Sequence, residues 1–252
     1  MIYTKDLWLE ALVTEGVAFR AAVAELPLSA EVPSCPGWTV ADLVHHLGSM
    51  YRYVREHTAR GVTTPPERRL ADYEAEPHAG KLRAWWEEQL YETLDALRAL
   101  EPDAPAWNWA PQPKQAAFWQ RRVAHETSLH RWDAQMATGR AEPIEARLAA
   151  DGVSEALESF ALAGLRHAKE PRSGMVELHS TDPEQTWYVH LRGEALALLD
   201  ADSLLDPEEH YPTVTAFGPA SDIQLALWGR IGLDILELDG DLEAVASLQI
   251  RS

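Results

Sequence analysis

AAFWQRRVAHETSLHRWDAQ (residues 116–135) contains no proline or glycine, and Gly139 follows it after three more residues. It therefore reads as one long helix, about Ala116 to Thr138, stopped by a residue that tolerates left-handed backbone. Within it Glu126 and His130 stand four apart, which on a helix leaves about 40° of rotation between them, so a carboxylate and an imidazole can reach one cation. The spacing alone also fits a solvated helical pair. Counting about 100° per residue, the same face presents Trp119, Val123, Ala134 and Ala137, with Arg122 and Asp133 at its margin. That face reads as interior, and a buried carboxylate and imidazole need partners: hydrogen bonds, an ion pair with Arg122, or a metal.

Working toward the N-terminus, three more helices separated by proline-rich loops are expected: about Lys5–Glu25, Thr39–Arg60 and Lys81–Leu100. Thr39 with Asp42 three residues on makes a capping-box-like start for the second. Four helices of this length can bury one another's apolar stripes as a bundle. On the second helix Val40, Leu43, Leu47, Met50 and Val54 define the stripe. His46 lies about 90° from its centre and His45 nearly opposite, so His46 can point between helices while His45 is expected to face water. His46 equally suits a border histidine bonded to a carbonyl. His125, about 100° from Glu126, groups with Leu129, Trp132 and Met136 as a packing residue.

His46, Glu126 and His130 together offer two imidazoles and one carboxylate. That set suits Zn²⁺, and also Fe²⁺, Co²⁺ or Ni²⁺, and leaves a coordination position open. Asp133, one turn beyond His130, can accept its second ring proton or be an ordinary exposed carboxylate. Cys35 reads as a small thiol in a tight turn, although the helix start at Thr39 can lower its pKa. His167, His179, His190 and His210 are scattered without ligand spacing. A phosphate-cradling glycine loop, a Gly-x-Ser-x-Gly elbow and a paired-cysteine motif are missing.

The net charge of −18 over 252 residues disfavours a nucleic-acid partner or an anionic membrane surface. One cysteine cannot make an internal disulfide, and no apolar run is long enough to span a bilayer, so a reduced, cytoplasmic protein is expected. Near Arg140–Glu145 the pattern changes. One more helix, about Ile144–His167, precedes short stretches rich in β-formers at Met175, Thr186, Ala195 and Thr213. Then come an apolar helical segment, SDIQLALWGR, a short Asp-Gly-Asp turn and DLEAVASLQI. Two domains are expected, 1–141 helical and 142–252 α+β.

VPSCPGWTVADLVHHLG (residues 32–48) and residues 116–135 together resemble the mycothiol-dependent maleylpyruvate isomerase family of actinobacteria. That family belongs to the DinB-like group of metal-binding four-helix bundles. The tail, TVTAFGPASDIQLALWGR followed by DGDLEAVASL, is similar to the family's C-terminal α+β domain, related to sterol-carrier-like folds. The resemblance implies a divalent metal, commonly zinc, on His46, Glu126 and His130. It also implies mycothiol or a similar thiol as cofactor, with a small electrophile that is isomerised or receives the thiol. Arg121 and Arg122 are candidates for gripping a carboxylate of thiol or substrate; helical position favours Arg122, which can instead pair with Glu126. A metal-binding protein without turnover and a metal-assisted hydrolase are the alternatives.

Overall fold

A computed structural model of the chain describes residues 4–67, 79–161, 172–193, 195–199 and 214–250. They fall into two compact units, Met1–Glu142 and Pro143–Ser252. Among the described residues no helix is long and apolar enough to cross a membrane.

The first unit is built from α1 (Lys5–Ala24), α2 (Val40–Ala59), α3 (Leu82–Ala99) and α4 (Ala116–Thr138). Local chemistry sets their ends. Thr39 accepts from the Asp42 amide at 3.3 Å, and the Asp42 carboxylate accepts from the Thr39 amide at 2.8 Å, completing the expected capping box of α2. The first amides of both α2 and α4 find carbonyls in the preceding proline-rich loops: Val40 N donates to Ala30 O and Ala116 N to Ala104 O, each at 2.8 Å. Helix α4 ends at Gly139, whose φ of 70° allows Arg140 N to turn back onto Gln135 O at 3.1 Å. The last carbonyls of α3 are taken by Gln120 and Lys5, and those of α1 by Arg83.

Helix α1 packs along α4 and α2 along α3, with α2 and α4 also in contact. Leu12, Phe19, Leu43, Leu47, Trp86, Leu97, Trp119 and Val123 are buried between them. Gly48 permits the α2–α3 approach, since a Cβ there would stand 2.3 Å from the Trp85 ring. Where α1 meets α4, Arg131 Nε donates to Glu15 Oε2 at 2.6 Å, a buried pair.

In the second unit α5 (Ala146–Glu155) widens into a π-helical turn, Ala156–Phe160. Residues 162–167, the remainder of the helix expected to end at His167, lie outside the described residues, as do His210 and Thr213. A five-stranded mixed sheet follows in the order β3-β2-β1-β4-β5, made of β1 (Arg172–Thr181), β2 (Glu184–Gly193), β3 (Ala195–Leu199), β4 (Val214–Gly218) and β5 (Glu237–Gly240). Among the described strands only β1 and β4 pair in parallel. Trp187, Val189 and Leu191 on β2 are buried in strict alternation, which makes one face of the sheet interior. Helices α5 and α6 (Ala220–Leu227) pack together, α6 and α7 (Leu242–Ala246) lie against β1 and β4, and Trp187 Nε1 donates to Ser154 Oγ at 2.8 Å. The fold is thus four helices followed by a small mixed sheet-and-helix domain. One expectation is corrected: the stretch around Asp239-Gly240 continues from an edge strand, β5, because its backbone completes the open ladder of β4.

Candidate metal centre

His46 comes from the second turn of α2, and Glu126 and His130 from the middle of α4. The packing of α2 on α4 brings one donor atom of each to within 4.8 Å of the others. Glu126 Oε1 is the shared point: His46 Nε2 lies 2.9 Å from it and His130 Nε2 3.3 Å. Donors around a tetrahedral zinc at bond lengths near 2.1 Å stand roughly 3.4 Å apart. The set therefore fits a divalent cation after opening by a few tenths of an ångström, and its two imidazoles and one carboxylate are the donor types that such a cation takes. Side-chain exposure falls from 29% at His46 through 14% at Glu126 to 6% at His130, so the site is open on its His46 rim and closed at its floor.

The two α4 residues are held from behind. Arg122 is only 2% exposed, and its guanidinium donates to Glu126 Oε2, leaving Oε1 to face the imidazoles. Of the two tasks expected for Arg122, the ion pair with Glu126 is present, because one helical turn separates the two residues on an interior face. Arg121, one position back and about 100° around the helix, is half-buried. His130 Nδ1 lies 2.9 Å from Asp133 Oδ2, and Asp133 is fully buried. Asp133 therefore accepts the Nδ1–H hydrogen bond and leaves Nε2 toward Glu126.

Charge follows this geometry. Burial by itself would raise the Glu126 carboxyl, but the Arg122 charge and the hydrogen bonds from His130 and His46 outweigh it and hold the group well below the usual carboxylate range. Burial likewise would lower His130, yet its bonds to Asp133, Cys35 and Glu126 hold it well above the usual imidazole value. Without a cation the centre is thus a place where positive charge on His130 is stabilised by the carboxylates of Asp133 and Glu126.

Three neighbours were not legible from helix spacing. Trp38 lies over the site, its ring centroid 5.0 Å from that of His46 and 6.0 Å from that of His130. Ser34 Oγ donates to Asp133 Oδ1 at 2.6 Å, and the Cys35 Sγ lies within 4.8 Å of a ring nitrogen of His130. All three belong to the loop before α2, where Val32 N bonds to Trp38 O, and Cys35 N to Val32 O. The signal was their position in one short turn directly ahead of a capped helix; the contact across to α4 had none. His45, expected to face water, instead stacks on Trp85 with centroids 5.7 Å apart, because Trp85 of α3 covers that side of α2. His125 is fully buried, in keeping with a packing role.

A family model described as the mycothiol maleylpyruvate isomerase N-terminal domain matches residues 9–135, and that of the corresponding C-terminal domain matches residues 147–247. The chain belongs to this family. Its fold is similar to the crystal structure of a mycothiol-dependent maleylpyruvate isomerase, with a TM-score of 0.66 at 14% identity over 95% of each chain. A histidine-to-alanine mutant structure under the same description gives 0.67 at 12% identity, again over 95% of each chain. No curated protein sequence matches the chain.

Proposed function

We propose that this member of the family is a divalent-cation-dependent enzyme in which a low-molecular-weight thiol, of the mycothiol type, adds to a small conjugated electrophile. The observation that carries the reading is the convergence of His46, Glu126 and His130 on one point with exposure only at the rim. These three residues would hold the cation, zinc by donor type. When bound, such a cation favours the thiolate form of a thiol at neutral pH. The family supports the thiol as cofactor and a small molecule as substrate.

The chain's own residues have separable tasks. Arg122 holds one carboxylate oxygen of Glu126 and so aims the other; Asp133 fixes the His130 tautomer; Trp38 walls the site and keeps water from part of it. His46, the exposed member, lies where a thiol enters. For isomerisation the thiolate sulfur forms a bond to one carbon of a conjugated cis double bond, and the electron pair moves into the adjoining carbonyl. The resulting single bond rotates, and collapse of the enolate expels the thiolate, so thiol is regenerated. For S-transfer the adduct is protonated and released. The test incubates zinc-loaded protein with mycothiol and maleylpyruvate, then with a panel of other electrophiles, against metal-stripped protein. Metal-dependent isomer or thioether is expected. Thiol binding without turnover on the whole panel would leave a binding protein, and hydrolysis of an ester or amide panel a hydrolase; either would overturn the proposal.

A further inference from the structure

Cys35 is the single cysteine of the chain, and the fold buries it beside α4. Its Sγ, one ring nitrogen of His130 and one carboxylate oxygen of Asp133 all lie within 4.8 Å of one another, and all three residues are buried. This set and the set of His46, Glu126 and His130 have one member in common, His130. The imidazole stands between them: Nε2 faces Glu126 at 3.3 Å and Nδ1 faces Asp133 at 2.9 Å. A cysteine–histidine–aspartate nucleophile does not fit this arrangement. In that device the ring nitrogen away from the carboxylate receives the thiol proton, and here that nitrogen is turned to Glu126.

We propose that Cys35, His130 and Asp133 form a second cation site, selective for thiophilic divalent ions such as Zn²⁺ and Cd²⁺. A thiolate, an imidazole nitrogen and a carboxylate oxygen are donors that these ions accept, and the thiolate excludes the harder Mg²⁺ and Ca²⁺. The thiol is delivered by a turn that is already fixed. Cys35 N donates to Val32 O and Trp38 N to Cys35 O, both at 3.0 Å, while Ser34 Oγ secures Asp133 Oδ1 at 2.6 Å. A fourth position is left for water or the Ser34 hydroxyl. An ion here takes a ring nitrogen of His130 and the carboxylate that orients it, so filling this site loosens the His130 that the other set needs. The consequence is antagonism: a thiophilic cation in excess weakens the first site.

The inference does not depend on the enzymatic reading, because Cys35→Ser keeps His46, Glu126 and His130 in place. Metal-free protein is titrated with cadmium chloride, and the ultraviolet thiolate-to-cadmium charge-transfer absorption is recorded. With one thiol in the chain, any such band reports Cys35. A saturable band is expected in the wild type and in His46→Ala, absent in Cys35→Ser, and shifted to roughly tenfold higher cadmium in Asp133→Ala. Lack of a band in the wild type would sink the proposal. So would a band that His46→Ala abolishes, which would assign the thiolate to the first set, or one that Asp133→Ala leaves unmoved, which would make it a cysteine binding cadmium without the cluster.

Discussion

Replacing Asp133 with Asn removes one negative charge from a fully buried position while keeping the shape of the side chain. In the native centre one carboxylate oxygen faces His130 Nδ1 at 2.9 Å and the other accepts from Ser34 at 2.6 Å. The amide can reproduce both contacts, with its oxygen toward Nδ1–H and its nitrogen toward the Ser34 hydroxyl oxygen, so the variant is expected to fold. What it loses is the charge assistance that makes Nε2 a better donor. Partners of this kind are worth about 10–100-fold in metal affinity, or about 1.4–2.7 kcal/mol. A second effect runs the other way: without the carboxylate His130 holds its proton less tightly, and metal competes against that proton more easily. Zinc affinity is therefore measured by chelator competition at alkaline pH, where protonation of His130 matters least. A dissociation constant raised about 10–100-fold is expected, with unchanged far-ultraviolet circular dichroism. Affinity within twofold of the wild type in a folded variant would refute the argument that the Asp133 charge strengthens His130 as a donor.

His130→Ala removes a ligand and is expected to lose stoichiometric zinc by elemental analysis; full occupancy would remove the assignment of the centre. Zinc binding displaces the proton of His130, whose pKa in the metal-free fold lies well above 6.5. Affinity should therefore decline as pH falls, beginning above that value, with proton uptake or release read by calorimetry in buffers of different ionisation enthalpy; a flat profile from neutral pH downward would contradict it. In the metal-free protein the same raised pKa stabilises the fold below about 6.5, the unfolded value, and that stabilisation is lost as pH rises through the folded pKa. Arg122→Leu leaves Glu126 without its buried cation and should cost about 3 kcal/mol by urea unfolding, with the Glu126 pKa moving up toward the ordinary range. Gly48→Ala puts a methyl against the Trp85 ring at 2.3 Å and should destabilise by about 1–3 kcal/mol, mostly recovered by pairing it with Trp85→Leu.

Much of this protein was written in local pattern. The bounds of α4, the capping box at Thr39–Asp42 and the stop at Gly139 follow from residues within one or two turns of each other, and so does the common face of Glu126 and His130. Helical periodicity also separated His46 from His45, since rotation about an axis is a property of the chain alone. The tertiary structure decided everything that depends on what lies across a gap. It brought His46 to Glu126 over 80 residues of sequence and turned Arg122 inward as a partner of Glu126. It laid Trp38, Ser34 and Cys35 onto α4, and added β5 to the free edge of β4. Local hydrogen bonding and side-chain period are encoded by neighbours in sequence. Which polar groups share a buried space is set by how helices and strands pack to exclude water, and that is a property of the whole chain.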